Sequence, residues 1–274
     1  MNWFSKLQRM DSRIVYALMF VALSVPLVMP LQIPLSITPF TRAIYEIIEE
    51  LDPATDVVLL SLDYSAAAAA DIHPQAVAVV DHLTRRGIRW VGVSFFPDGP
   101  MMIEQITDVL EERGGRYGTD FANFGFKTGG ENAIAAFANN PLVITRDFLG
   151  NATAELPIMQ GITHIRDFGY VIAFAGGSPG IPEWIRQVVD PMGVRVGAGA
   201  VTALVPTFVP FVQSGQIDGL LAGLRGAAEY ELLLEAPGLA VSMMDAQSVG
   251  HLVVIAFILI GNAAYLVTKY TKKD

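Results

Sequence analysis

Two uncharged apolar runs, IVYALMFVALSVPLVMP at 14–30 and VGHLVVIAFILIGNAAYLV at 249–267, stand near the two ends of the chain. A helix that crosses a bilayer needs ~20 predominantly apolar residues, with ~17 as the lower bound. Runs of this kind are costly to leave in water, so they limit the chain to folds in which lipid or a large core covers both. The pattern predicts a transmembrane helix at 14–30 and a second at 248–268. Pro26 kinks the first, which a membrane helix tolerates. A basic start and an apolar middle also describe a signal peptide. Ala22-Leu23-Ser24 is a poor cleavage site, however, and apolar residues continue through Met29. The second run is followed at once by Lys269-Tyr270-Thr271-Lys272-Lys273, a membrane-interface pattern rather than the end of a core helix.

Charge supplies the orientation. Lys6, Arg9 and Arg13 crowd the first tip, and Lys269, Lys272 and Lys273 the last, although the chain as a whole carries −9. Basic residues beside spans stay in the cytoplasm. The expected map is a cytoplasmic basic tip at 1–13, a connector at 31–49 stiffened by Pro34 and Pro39, an extracytoplasmic (periplasmic) domain at 50–245, and a cytoplasmic tail at 269–274. An acidic body excludes the basic face that nucleic acid requires. The chain has no cysteine, so disulfide frameworks and thiolate chemistry are excluded as well.

Between the spans, apolar strands alternate with amphipathic helices. DVVLLSL (56–62), IRWVGVSF (88–95), LVIT (142–145), FGYVIAFA (168–175) and VRVGAGA (194–200) read as strands. Segments 73–87, 101–115 and 182–189 read as helices, the first two ending in Arg and Gly. This alternation predicts an α/β domain with a Rossmann-like, mostly parallel sheet covered by helices on both faces. Such sheets bind ligands at the carboxyl ends of their strands, where the strand order reverses. The candidate ligand residues are Asp63, Tyr64, Ser94 and the turn Gly176, Gly177, Ser178. Tyr117 and Asp120 join them from the glycine- and aromatic-rich stretch 114–133, which reads as a long loop.

Catalytic signatures are weak. Gly176-Gly177-Ser178-Pro179-Gly180 fits G-x-S-x-G, but Pro179 follows the serine and has no N–H for an oxyanion hole. The four histidines are scattered without metal-ligand spacing, and no Walker motif occurs. No catalytic residue, metal or cofactor is expected.

The stretch 206–234 reads as two helices. Ser214 caps the second, Gly215 starts it, and Gly219 and Gly223 fall in mid-helix beside Gly226. Small residues at every fourth place admit a close neighbour. Asp218, Arg225 and Glu229 keep that helix out of lipid, so the neighbour is protein: the domain's own sheet or another subunit. Gly219, Gly223, Arg225, Gly226 and Glu229 form the candidate interface. The ten residues FVQSGQIDGL (211–220) resemble a stretch of TRAP-type periplasmic solute receptors, although the anchors and the N-terminal half do not follow that family. The expected function is a non-catalytic accessory or assembly subunit of a membrane complex. Its expected partners are the lipid bilayer and a protein partner or a second copy of itself. The resemblance implies an alternative, extracytoplasmic small-solute binding or sensing.

Overall fold

The computed structural model describes residues 11–271. Lys6, Arg9, Lys272 and Lys273, expected in the basic tips, lie outside the described residues. The chain divides into two compact units: Leu35–Ala236, and the residues up to Pro34 together with those from Pro237 onward.

The larger unit is an α/β domain. Among the described residues six strands form one sheet: β1 (Val57–Asp63), β2 (Arg89–Ser94), β3 (Phe121–Phe126), β4 (Tyr170–Ala175), β5 (Val196–Ala200) and β6 (Leu220–Ala222). Their spatial order is 3-2-1-4-5-6 and every pairing is parallel. This is the doubly wound order, in which the chain reverses direction across the sheet between β1 and β4. All seven residues of β1 are buried, as expected of a central parallel strand. Val58, Leu60 and Leu62 face one core, shared with helices α2 (Pro39–Glu50), α3 (Ala69–Arg86), α4 (Gly99–Glu112) and α9 (Gly223–Leu233). Val57 and Leu59 face the other, shared with α5 (Glu131–Asn139) and α6 (Ile181–Trp184), which runs on through a π turn into α7 (Asp190–Met192). A third cluster packs α8 (Val205–Gln213) through Phe208 against Ala198 and Leu220.

Local signals explain where these helices start and stop. Thr38 caps α2 from outside, with Pro39 at its first position. Arg85 and Arg86 complement the carboxyl end of α3, which stops at Gly87 with φ +68°. The connector expected at 31–49 therefore holds a domain helix from residue 39 onward. Ile44, Ile47 and Ile48 of α2 belong to the core, which outweighs the reading of Pro39 as a spacer.

Three further expectations are corrected. Segment 114–133 contains strand β3, whose glycines and small residues hide its period, while Phe121 and Phe124 are fully buried. Residues 142–145 are not a strand. Pro141–Val143 is a 3-10 turn held by the Asn140 side chain, and Ile144 fills the core from the loop that follows. The second glycine helix does not begin at residue 215. Leu220–Ala222 pairs with β5 as β6, because Leu220 and Leu221 complete the sheet, and the helix starts at Gly223 with φ +55°. Gly219 thus lies outside any helix.

The smaller unit is an antiparallel pair of helices, α1 (Ser12–Val28) and α10 (Leu239–Thr271). Leu23 packs against Gly250, where a Cβ would come within 2.9 Å of it. The buried carboxylate of Asp245 accepts the backbone N–H groups of Gln32 (2.8 Å) and Ile33 (3.0 Å). Among the described residues only α10 is long and apolar enough to cross a membrane, over Leu239–Tyr270. It begins well before the expected residue 248 because Ser242 and Asp245 continue the helix. The expected N-terminal span is an apolar helix of 17 residues, at the lower bound for a single crossing and shorter than α10.

Candidate functional site

The carboxyl ends of β1 and β4 lie side by side at the reversal of strand order, with Asp63 opposite Ala175. Asp63, Tyr64, Ser94 and Gly176 meet there. The Asp63 carboxylate is fully buried on the α5/α6 side of the sheet. The hydroxyl of Ser61 donates to its Oδ2 (2.5 Å), the N–H of Phe95 to its Oδ1 (2.6 Å), and the indole of Trp184 approaches Oδ2 at 3.5 Å. Ser94 Oγ lies 3.3 Å from Oδ1 and 2.7 Å from the Leu62 carbonyl. Phe95 and Trp184 meet edge to face with centroids 5.9 Å apart, leaving little water beside the carboxylate. Burial pushes the Asp63 pKa up to about 6, against the four hydrogen-bond donors, which favour the charged form.

Tyr64 points to the opposite face. It is 1% exposed, and its hydroxyl lies 2.8 Å from His73 Nδ1. Burial raises the phenol and lowers the imidazole, so both are neutral at pH 7. Gly176 donates its N–H to the Asp63 carbonyl (3.1 Å), and a Cβ there would press on Tyr64 and Ala68. The turn after β1 reads Asp63-Tyr64-Ser65-Ala66-Ala67-Ala68. It lacks the glycines that let a dinucleotide pyrophosphate approach the backbone. In the first turn of α3, the Asp71 carboxylate accepts the N–H and hydroxyl of Thr202 and the N–H of Leu224. Gln75, one turn on, donates to the carbonyls of Ala200 (3.0 Å) and Gly223 (2.9 Å). The chain's own carboxylates and amides therefore bind strand ends and helix starts along this edge.

The remaining candidates are dispersed. Gly177 and Ser178 sit at the rim. Ser178 Oγ is 3.4 Å from Glu183 Oε1, which gives it a carboxylate neighbour rather than an imidazole. The same Glu183 accepts the Gly180 N–H (2.8 Å) and pairs with Arg186 (3.1 Å). His164, the histidine nearest in sequence to Ser178, accepts the Arg166 N–H as the cap of a 3-10 turn. Tyr117 donates to Asp147 (3.1 Å) and does not reach Asp63. Asp120 precedes β3, so it lies at the opposite, amino edge. Its forked pairing with Arg116 (2.9 and 3.1 Å) lowers its pKa. Asp120 lines a cavity of about 300 Å³ there, with Arg89, Trp90, Arg113 and Phe121. Sequence reasoning missed this cavity, because it lies at the amino edge of the sheet, while the search was directed to the carboxyl ends of the strands. Among the described residues no cluster of three or more His, Asp or Glu side chains is placed to hold a metal.

Of the candidate interface residues, Gly219, Gly223, Gly226 and Glu229 are buried and Arg225 is exposed. A Cβ on Gly219 would come within 2.5 Å of the Phe40 carbonyl and 2.8 Å of Ile44, and one on Gly226 within 2.7 Å of the Leu221 backbone. On Gly223 it would overlap the Thr202 hydroxyl. Glu229, 1% exposed, accepts the Thr38 N–H (2.9 Å) and the hydroxyls of Thr38 (2.7 Å) and Thr41 (2.8 Å), and pairs with Arg225 (2.8 Å). Arg225 also reaches the Ser36 carbonyl (3.2 Å). Glu229→Ala is expected to cost about 2–4 kcal/mol, read by urea denaturation, because it strands three donors at the start of α2. A loss below about 0.5 kcal/mol would show that the grip is incidental. Comparison with protein-family profiles, with curated proteins and with solved structures finds no match, so the reading of this chain rests on its own residues.

Proposed function

We propose that this chain is a membrane-anchored α/β protein serving as a non-catalytic accessory or assembly subunit. In this reading α1 and α10 are two spans, both termini are cytoplasmic, and the domain is extracytoplasmic. The carrying observation is where the apolar surface lies. Of the 29 large hydrophobic side chains exposed among the described residues, 23 fall within 14–33 and 239–270. Isolated exposed hydrophobics are ordinary, but a continuous coat of them on one helical pair is surface made for lipid. Tyr265, Lys269 and Tyr270 form an interfacial end, with the Lys269 ammonium 5.7 Å over the Tyr265 ring. Arg13 marks the same end of the antiparallel pair. The filled carboxyl edge supports an assembly role over solute capture there, since Asp63, Tyr64 and Ser94 are buried and already paired.

The absence of native cysteine makes a direct test simple. Single Glu112→Cys and Tyr270→Cys variants are exposed to a membrane-impermeant maleimide on intact cells. Residue 112 is expected to react from outside, residue 270 only after permeabilisation, and the protein to remain in the pellet after carbonate washing. Release by carbonate, or labelling of residue 270 from outside, overturns the reading.

A further inference from the structure

We propose that α10 pairs, within the bilayer, with α10 of a second copy of the chain through a stripe carrying His251 and Asn262. This rests on the reading of α10 as a span. Gly250, Val253, Phe257, Ala264 and Thr268 are buried or half-buried and turn toward one side of the helix, the side that meets α1 at Leu23. At 100° per residue, His251, Ile255, Ile258, Asn262 and Lys269 share another side, and all five are exposed.

His251 and Asn262 are eleven residues apart, about three turns and ~16 Å along the axis, so they repeat on one face. Asn262 spends one amide hydrogen on the Ile258 carbonyl (2.9 Å). The Asn262 side chain is exposed, on a helix surface shared with Ile258, Leu259 and Leu266, which are 56%, 64% and 49% exposed. Asparagine is too short to reach the headgroups from ~10 Å inside Lys269. Acyl chains offer no hydrogen bond, whereas a neighbouring helix does.

The chemistry selects the occupant. A carboxamide donates and accepts at once, so it satisfies its own likeness, and an imidazole has two ring nitrogens through which it can share a hydrogen bond with a second imidazole. Two copies inserted with the same orientation bring residue 262 against 262 and 251 against 251 at equal depth, about a two-fold axis along the membrane normal. An unrelated helix would need matching polar groups at both depths. The pairing also leaves the α1 side undisturbed.

The test uses full-length chain in native membranes, with a single cysteine at Ile258→Cys on the stripe or at Ile260→Cys, exposed on the far side. Copper-phenanthroline oxidation is expected to give a dimer, twice 29.6 kDa, at 258 and not at 260. Asn262→Leu, which is more apolar and still inserts, is expected to weaken the dimer about 5- to 30-fold, and Asn262→Gln to restore most of it. Equal crosslinking at both positions, or a 258 dimer indifferent to Asn262→Leu, overturns the proposal. A 258 adduct of another mass overturns it in favour of a different membrane partner. Carbonate washing of the same samples separates the two claims. Protein that stays in the pellet without the 258 dimer defeats the pairing alone, whereas protein released by carbonate defeats the span on which it depends.

Discussion

Full-length chain carrying Gly219→Leu is expected to lose its cooperative unfolding transition altogether. A side chain at 219 meets the Phe40 carbonyl oxygen at 2.5 Å, and backbone of a core helix cannot swing aside as a side-chain tip can. Relief requires moving α2, which carries Ile44, Ile47 and Ile48. Overpacking normally costs ~1–3 kcal/mol. Collision with fixed backbone belongs to the rare class above ~4 kcal/mol, comparable to the whole stability of many domains. Gly223→Ala is expected to cost about 3 kcal/mol. A left-handed φ of +55° alone is worth ~1–2 kcal/mol against a side chain, and the methyl also displaces Thr202 from Asp71. Trp90 and Trp184 are both buried in the domain, so tryptophan fluorescence during a urea titration reads the outcome. A Gly219→Leu protein that melts like the wild type would return this glycine to the surface and make it available to a partner.

Asp63→Asn is expected to remove a loss of stability that the wild type suffers as pH rises toward 7. The unfolded carboxyl titrates near 3.8 and the folded one near about 6. Between those values the native chain holds a proton that the unfolded chain has released. Stability from this group is therefore complete below ~pH 4 and falls as pH rises through 6. Two units correspond to about 3 kcal/mol. Asparagine carries no titrating proton and keeps an acceptor for the Phe95 N–H. The variant should accordingly gain on the wild type by about 2 kcal/mol between pH 4.5 and pH 7, measured by urea midpoints at each pH. Asp218, also raised by burial, contributes the same slope to both proteins and cancels in the difference. A gap that does not move with pH would mean that Asp63 is solvated in the native state.

The central strands were legible because a parallel strand buried on both faces leaves an unbroken apolar run, as at 57–62 and 170–175. The edges were not. β3 is FANFGF and β6 is only LLA, and neither shows alternation over a useful length. The glycines at 219, 223 and 226 have a helical spacing by coincidence of three separate contacts, with α2, with Thr202 and with Leu221. No period in the chain can distinguish that from a stripe. Asp63 and Ser94 were correctly placed at one edge because each ends a readable strand. The enclosure of Asp63 was invisible, since it depends on Trp184, 121 residues later. Glu229 looked like an exposed charge because its donors, Thr38 and Thr41, lie nearly two hundred positions earlier.

The Asp245 clamp on Gln32 and Ile33 joins positions 213 and 212 residues apart. A ribosome adding 5–20 residues each second needs ~10–40 s to cover that interval. Throughout that time α1 exists without α10, and the complete α/β domain is made before the two helices can meet. Pairing of α1 with α10 therefore waits for synthesis of the whole α/β domain, and a chain that terminates before Asp245 lacks the clamp.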